Sequence, residues 1–253
     1  TGLLILGVNS STRLLTYLVG LDKEYLATIR LGSSTPTDDA DSPADRQADP
    51  STLAAVSGEA IRAEILRLTG TIRQVPSAVS AIKVDGRRSY ARVRAGEEVK
   101  LAPRTVIVSE FDALAMHRDA GLDVDVRVRC SSGTYVRALA RDIGVRLGVG
   151  GHLTALRRMR IGEFDVRDSS ALDELDVASV FLSPTSVAEG LFPVLRLTEQ
   201  QAGDLSHGKR VSVEVADGAP VAAITAQGSL AGLVEISDGV ARVLVNFPED
   251  EVA

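Results

Sequence analysis

The stretch LDVDVRVRC, Leu122–Cys130, alternates without a break. Leu122, Val124, Val126, Val128 and Cys130 share one face, and Asp123, Asp125, Arg127 and Arg129 share the other. Such a period fits a strand with one buried and one solvated face, as antiparallel sheets have. The pattern then changes period at once. After SSGTY, where Gly133 lets the backbone turn, Val136, Leu139, Ala140, Ile143 and Leu147 fall on one helical face. Arg137 and Arg141, four apart, share another. The chain must therefore lead a half-buried strand through a glycine turn into an amphipathic helix, with polar side chains at the junction.

Similar reasoning places the other elements. TGLLILGV begins as a buried strand, Leu3 to Val8, and a chain opening inside an apolar strand is expected to continue upstream. Asn9 or Ser10 is set to cap a short helix that Gly20 ends. KEYLATIRLG reads as a strand, and the Ser-, Thr-, Asp- and Pro-rich run after it as an exposed loop. GEAIRAEILRLTG reads as a helix, Asp85-Gly86 as a hairpin turn, and RTVIVSEFDALAM as a strand. A connector falls near residues 183–193, followed by three short strands in APVAAITAQG, LAGLVEIS and GVARVLVNF. The expected architecture is α+β: a mixed, mainly antiparallel sheet with flanking helices, plus a small β-rich C-terminal domain.

Charge is segregated. The chain of 253 residues carries net −6, yet Arg73 to Arg104 holds eight Lys/Arg against three Asp/Glu. Arg127 to Arg160 holds eight arginines against Asp142 alone, while Asp173 to the end holds four basic residues against thirteen acidic ones. A basic centre between acidic flanks suits a local polyanion site or, equally, clustered solvated faces. One cysteine excludes an intrachain disulfide and suits a reducing, cytoplasmic compartment. Three scattered histidines, 117, 152 and 207, point away from zinc, and His152 reads as structural. No apolar run reaches membrane length.

P-loop, G-x-G-x-x-G, H-E-x-x-H and G-x-S-x-G motifs are all absent. What remains is the junction with Tyr135 and Arg137, whose guanidinium fork suits a carboxylate or a phosphate. Tyr25 lies within a strand, facing either a cleft or the core. The segment Lys83 to Arg94, with Arg87 and Arg88, suits a phosphate-binding flap or a charged hairpin. Leu156 offers an apolar anchor beside Arg157 and Arg158.

Taken together, these motifs resemble the bacterial TruB-type tRNA pseudouridine synthases over nearly the whole chain. TGLLILGV is similar to the end of that family's Gly-Thr-Leu-Asp-Pro-x-Ala-Thr-Gly motif, and KEYLATIRLGSSTPTDDADS to its Lys-x-Tyr strand and acidic loop. GTIRQVPSAVSAIKVDGRRSYARVRAGEEV is similar to its thumb-like RNA-binding insertion, and CSSGTYVRALARDIGVRLGVGGHLTALRR to its arginine motif. The resemblance implies a pseudouridine-synthase-like catalytic domain over 1–182, with the insertion at about 71–104, and a PUA-like domain over 190–253.

It also implies a reaction without cofactor or metal. A uridine of the tRNA T-arm, position 55, is flipped from its stack, and an aspartate attacks it at C6 or C1′. The resemblance makes Tyr25 the stacking aromatic and Arg137 the partner of the nucleophilic aspartate. Tyr135 and Leu156 line the pocket, Lys83, Arg87 and Arg88 contact RNA, and Arg141 is left to RNA phosphate or to structure. The expected enzyme is a monomer with tRNA as partner. Two departures stand out. The family's aspartate belongs four positions before Thr1, and Asp38, Asp39 and Asp41 do not match its motif. Ser77 and Val79 stand where the family more often has Pro and Tyr. Two rivals remain: a guide-RNA-dependent relative, against which the acidic tail speaks, and a non-catalytic tRNA-binding or folding protein.

Overall fold

The computed structural model describes residues 1–80, 82–84, 86–89, 92, 97, 101–119 and 121–248. The chain divides into two compact units, Thr1–Leu3 with Gly20–Asp168 and Leu4–Val19 with Ser169–Ala253.

The first unit is built around the alternating strand. Its strands are β1 (Lys23–Leu31), β2 (Ser33–Ser34), β3 (Arg46–Gln47), β4 (Gly70–Gln74), β5 (Lys83–Val84), β6 (Arg87–Arg88), β7 (Arg104–His117), β8 (Leu122–Cys130), β9 (Gly151–Ile161) and β10 (Phe164–Asp165). Six of them form one sheet in the order β10-β9-β1-β8-β7-β4, with every neighbouring pair antiparallel. Along β8 the inward row from Leu122 to Cys130 is at most 1% exposed, as the period requires. Helices α2 (Pro50–Ala54), α3 (Gly58–Arg67) and α4 (Val136–Arg146) belong to the same unit. Ile61 and Ile65 of α3 and Val136, Leu139, Ala140 and Ile143 of α4 share one core with the inward rows of β1 and β8. Gly144 permits the close approach of α4 to β9, because a Cβ there would lie 2.1 Å from the Gly150 carbonyl carbon.

The outer face of this sheet is held by ion pairs between directly opposed residues. Arg30 grips Asp123 through two bonds of 2.8 and 2.6 Å. Arg129 bridges Glu24 and Glu110 at 3.0 Å each, and Arg127 reaches Asp112 at 3.1 Å. The positive charge of Arg127 and Arg129 is thus met by acids of the two neighbouring strands, β7 and β1.

Two expectations are corrected. Leu3 to Val8 is not a strand: Gly2 forms a single bridge to Arg158, the Leu3 N–H bonds the Arg158 carbonyl at 2.8 Å, and the ladder then stops. Leu4 and Leu6, each 68% exposed, continue without strand pairing, and a strand requires those backbone bonds. The Asp-rich loop is not wholly exposed, since Thr35 and Asp38 are buried.

The second unit contains α1 (Leu15–Val19), entered through a 3-10 turn, Asn9–Leu14. Neither expected residue caps it: Val8 is the N-cap, Asn9 takes the left-handed φ of 50°, and its carbonyl accepts from Thr12 Oγ1 at 2.7 Å. Later in the chain come α5 (Val177–Val180), α6 (Pro184–Leu191) and α7 (Glu199–Ser206). The strands are β11 (Val194–Arg196), β12 (Val211–Ser212), β13 (Gly218–Ile224), β14 (Leu230–Ser237) and β15 (Val240–Asn246), in the sheet order β11-β13-β14-β15-β12. Leu14 packs with Ala188, Ile224, Leu233 and Phe247, and the Tyr17 ring meets Phe192 edge-on at 5.2 Å. The whole is the α+β architecture expected, with a mainly antiparallel sheet and a β-rich C-terminal region. No helix among the described residues is long and apolar enough to cross a membrane.

Candidate active site

At the end of β8 the chain turns through Gly133, at φ 84°, and starts α4. Ser131 keeps the turn against β7: its N–H donates to the Ile107 carbonyl at 2.8 Å, and its Oγ accepts from the Ile107 N–H at 3.0 Å. Tyr135, the N-cap, offers no side-chain cap. Gln74 of β4, only 1% exposed, holds its peptide instead. The Tyr135 N–H donates to Gln74 Oε1 at 2.8 Å, and Gln74 Nε2 donates to the Tyr135 carbonyl at 3.1 Å.

Arg137 therefore sits in the first turn of α4, where the helix dipole disfavours a cation. A carboxylate offsets this: Arg137 Nε donates to Asp39 Oδ2 at 2.5 Å, with Asp41 Oδ2 3.8 Å from Nη2. The Asp39 side chain is 17% exposed against 81% for Asp41, so the closer pair is also the drier. Asp39 is placed by its loop. Thr35 Oγ1 bonds both the N–H and the carbonyl of Asp39, at 3.0 and 2.8 Å. The Asp38 carbonyl accepts from Leu153 N–H at 3.1 Å, and Ala40 N–H donates to the Leu153 carbonyl at 2.9 Å, which pins the loop along β9.

Strand β9 is the common ground of the remaining residues. Leu156 pairs with Ala27, and Arg158 with Tyr25, which also stands opposite Val128 of β8. Tyr25 and Leu156 are part-buried and pack against the core of the unit. Burial raises the pKa of the Tyr25 phenol, so it is neutral at physiological pH. Lys23, two residues earlier, donates to the Leu21 carbonyl at 2.7 Å, and burial lowers its pKa. Cys130, almost fully buried, has its pKa pushed up to about 11, so it is a protonated packing thiol rather than a nucleophile.

Arg141, one turn beyond Arg137, has its donors on protein acceptors. Nη2 bonds the Val75 carbonyl at 2.7 Å, Nε bonds Asp142 at 2.9 Å, and Nη1 reaches Asp38 at 3.3 Å. Burial raises the pKa of both Asp38 and Asp142. His152 is buried and its Nδ1 lies 3.1 Å from the Ser33 carbonyl, a structural contact. Lys83 pairs with Arg88 and Val84 with Arg87 in the hairpin expected around Gly86. Asp85 and the side chains of Lys83, Arg87 and Arg88 lie outside the described residues. A cavity of about 460 Å³ opens at the start of β1 between Asp22, Lys23, Glu24, Arg129, Arg160 and Glu163. Its charged wall includes the Glu24–Arg129 pair of the outer face, whereas Arg137 belongs to the helix-covered side.

Gln74 and Asp39 were not singled out from sequence. Gln74 did leave a signal, a polar side chain in the inward phase of β4, where Ile72 precedes it by two. Asp39 had none that separated it from Asp38 and Asp41.

This sheet, with its helices on one face and a β-rich region following, is the pseudouridine-synthase fold. It is similar to the structure of an H/ACA RNP bound to a substrate RNA containing 2′-deoxyuridine, with TM-score 0.63 and 20% identity over 96% of this chain and 72% of that one. A Cbf5-Nop10-Gar1 complex gives TM-score 0.63 at 21% identity, with the same coverage of both chains. The model of the TruB family pseudouridylate synthase N-terminal domain matches residues 1–136. Those of the tRNA pseudouridylate synthase B C-terminal domain and of tRNA pseudouridine synthase II, C terminal, match 137–200 and 192–248. The chain belongs to the TruB family of pseudouridylate synthases. A protein of Leifsonia xyli subsp. xyli named tRNA pseudouridine synthase B is 58% identical over 257 residues, which is 100% of this chain and 85% of that protein. One of the same name from Arthrobacter sp. is 48% identical over 263 residues, 99% of this chain and 85% of that protein. Membership supports an isomerase that makes pseudouridine in RNA, and the relatives' names support tRNA as the RNA.

Proposed function

We propose that this protein converts uridine 55 in the T-arm of tRNA to pseudouridine, as a cytoplasmic monomer. The observation that carries the reading is the Arg137–Asp39 pair at the head of α4. An arginine fork engaged at Nε by one carboxylate still offers its Nη donors to a second. In this reading the second is the nucleophilic aspartate of the motif that precedes Thr1. Arg137 orients it and keeps it ionised. Tyr25 supplies the ring on which the flipped base stacks, and Tyr135 and Leu156 line the pocket. Lys83, Arg87 and Arg88 contact RNA phosphates through the 71–104 insertion, and the 190–253 region is a PUA-like domain.

The chemistry then balances without a cofactor. A carboxylate oxygen adds to C6 or C1′, and the N1–C1′ bond breaks. The uracil rotates, C5 joins C1′, C5 gives up its proton to solvent while N1 takes one, and the carboxylate is released. The test is a pseudouridine assay on a T-arm stem-loop with the full-length protein and no guide RNA. Stoichiometric pseudouridine at the single T-loop position supports the reading. Binding without product favours the RNA-binding rival, and product only with added guide RNA favours the other.

A further inference from the structure

Two adjacent residues at the exit of β4 grip α4 on either side of Arg137. Gln74 spends both ends of its amide on Tyr135, two residues before Arg137. The Tyr135 carbonyl also accepts from the Leu139 N–H at 3.2 Å, so Gln74 fills its second lone pair and fixes the first helical turn. Next in the chain, the Val75 carbonyl accepts from Arg141 Nη2 at 2.7 Å, one turn beyond Arg137. The same arginine reaches Asp38, the neighbour of the Asp39 that holds Arg137. Consecutive aspartates of one loop thus meet arginines on consecutive turns of α4, and the root of the 71–104 segment holds that turn at both ends.

We propose that Gln74 is a positioning residue for Arg137, with Arg141 as the second point of the same clamp. A fully buried amide is a costly way to hold a helix start that a Ser or Asp cap could serve. What the amide adds is a link between β4, which leads into the 71–104 segment, and the helix that carries the arginine. Arg141 accordingly acts on the position of α4 and not on RNA phosphate. The inference rests on the functional reading of Arg137, but its physical part is separable from that reading.

The experiment uses Gln74→Met, which keeps length and removes both hydrogen bonds, and Arg141→Met. Each folded variant is compared with the unsubstituted full-length protein by NMR of the arginine Nε–H groups, with Arg30 as internal reference because it is held by Asp123 elsewhere. The Arg137 Nε–H signal is expected to broaden or shift in both variants, with that of Arg30 unchanged. Single-turnover pseudouridine formation on a T-arm stem-loop is expected to slow at least tenfold, with the stem-loop Kd within twofold. An unchanged Arg137 signal overturns the proposal, as does normal turnover at saturation with weakened Kd, which would make Arg141 a phosphate contact. If Gln74→Met does not fold, Arg141→Met alone decides by the same criteria. If the unsubstituted protein makes no pseudouridine, the functional reading fails while the NMR comparison still tests the clamp.

Discussion

Two arginine–carboxylate pairs in the first unit have similar chemistry and different consequences. Arg30 and Asp123 are register partners on the open face of the sheet, joined by two bonds in contact with solvent. Arg137 and Asp39 come from a helix start and a loop, meet through one short bond, and depend on several other contacts to be aimed at one another. The first pair needs only correct strand pairing; the two pairs are about equally exposed, 36% and 22% against 33% and 17%, so solvent screens both and the first is worth ~1 kcal/mol or less. The second sits where a cation is unfavourable to a helix, so the fold maintains it against a local penalty. A charge pair held against local preference is the better candidate for function.

Substitution separates the two regions. Arg137→Ala should abolish pseudouridine formation while leaving tRNA binding largely intact, and retained turnover would remove Arg137 from its assigned role. Tyr25→Ala comes next, with strongly reduced turnover and little loss of fold. A clear fall in Tm with normal residual activity would return Tyr25 to the core. Charge reversal at Arg87 and Arg88 should weaken tRNA binding and flatten the slope of log K against log salt, by about one unit for each phosphate that is no longer neutralised. An unchanged slope would detach the hairpin from RNA.

On the other face, Arg30→Ala should cost ~1 kcal/mol or less by denaturant titration and leave turnover unchanged. A large effect on turnover would erase the contrast between the pairs. At physiological pH the smallest effect is that of Cys130, whose titration matters only in alkali. Its folded pKa of about 11 exceeds the ordinary 9.0 because of burial. The stability it contributes is therefore complete below pH 9.0 and is lost as pH rises through about 11. Iodoacetamide should leave the native thiol unlabelled at pH 8, and rapid labelling there would contradict its burial.

Local periodicity made much of the fold legible. The inward row of β8, the apolar stripe of α4 and the three C-terminal strands follow from patterns within about ten residues. Shorter pieces escaped: β11 and β12 span three and two residues, too few for a period to show. The Thr198–Gln201 capping box of α7 was legible in principle. TGLLILGV misled because apolar residues mark a strand only if another strand pairs with them. The charge count misled in a similar way, since a window beginning at Arg127 leaves out Asp112, Glu24 and Glu110, which Arg127 and Arg129 face across the sheet.

The sequence by itself determined the strand-turn-helix that presents Arg137, because side-chain period and a turn-permitting glycine act over neighbouring residues. Only the tertiary structure decided which carboxylate that arginine meets. Asp38, Asp39 and Asp41 are nearly equivalent as letters, and Arg137 follows Asp39 by 98 positions. An ion pair is set by distance through space, and that distance exists only once Thr35 has folded the loop, Leu153 has pinned it, and Gln74 has fixed the start of the helix.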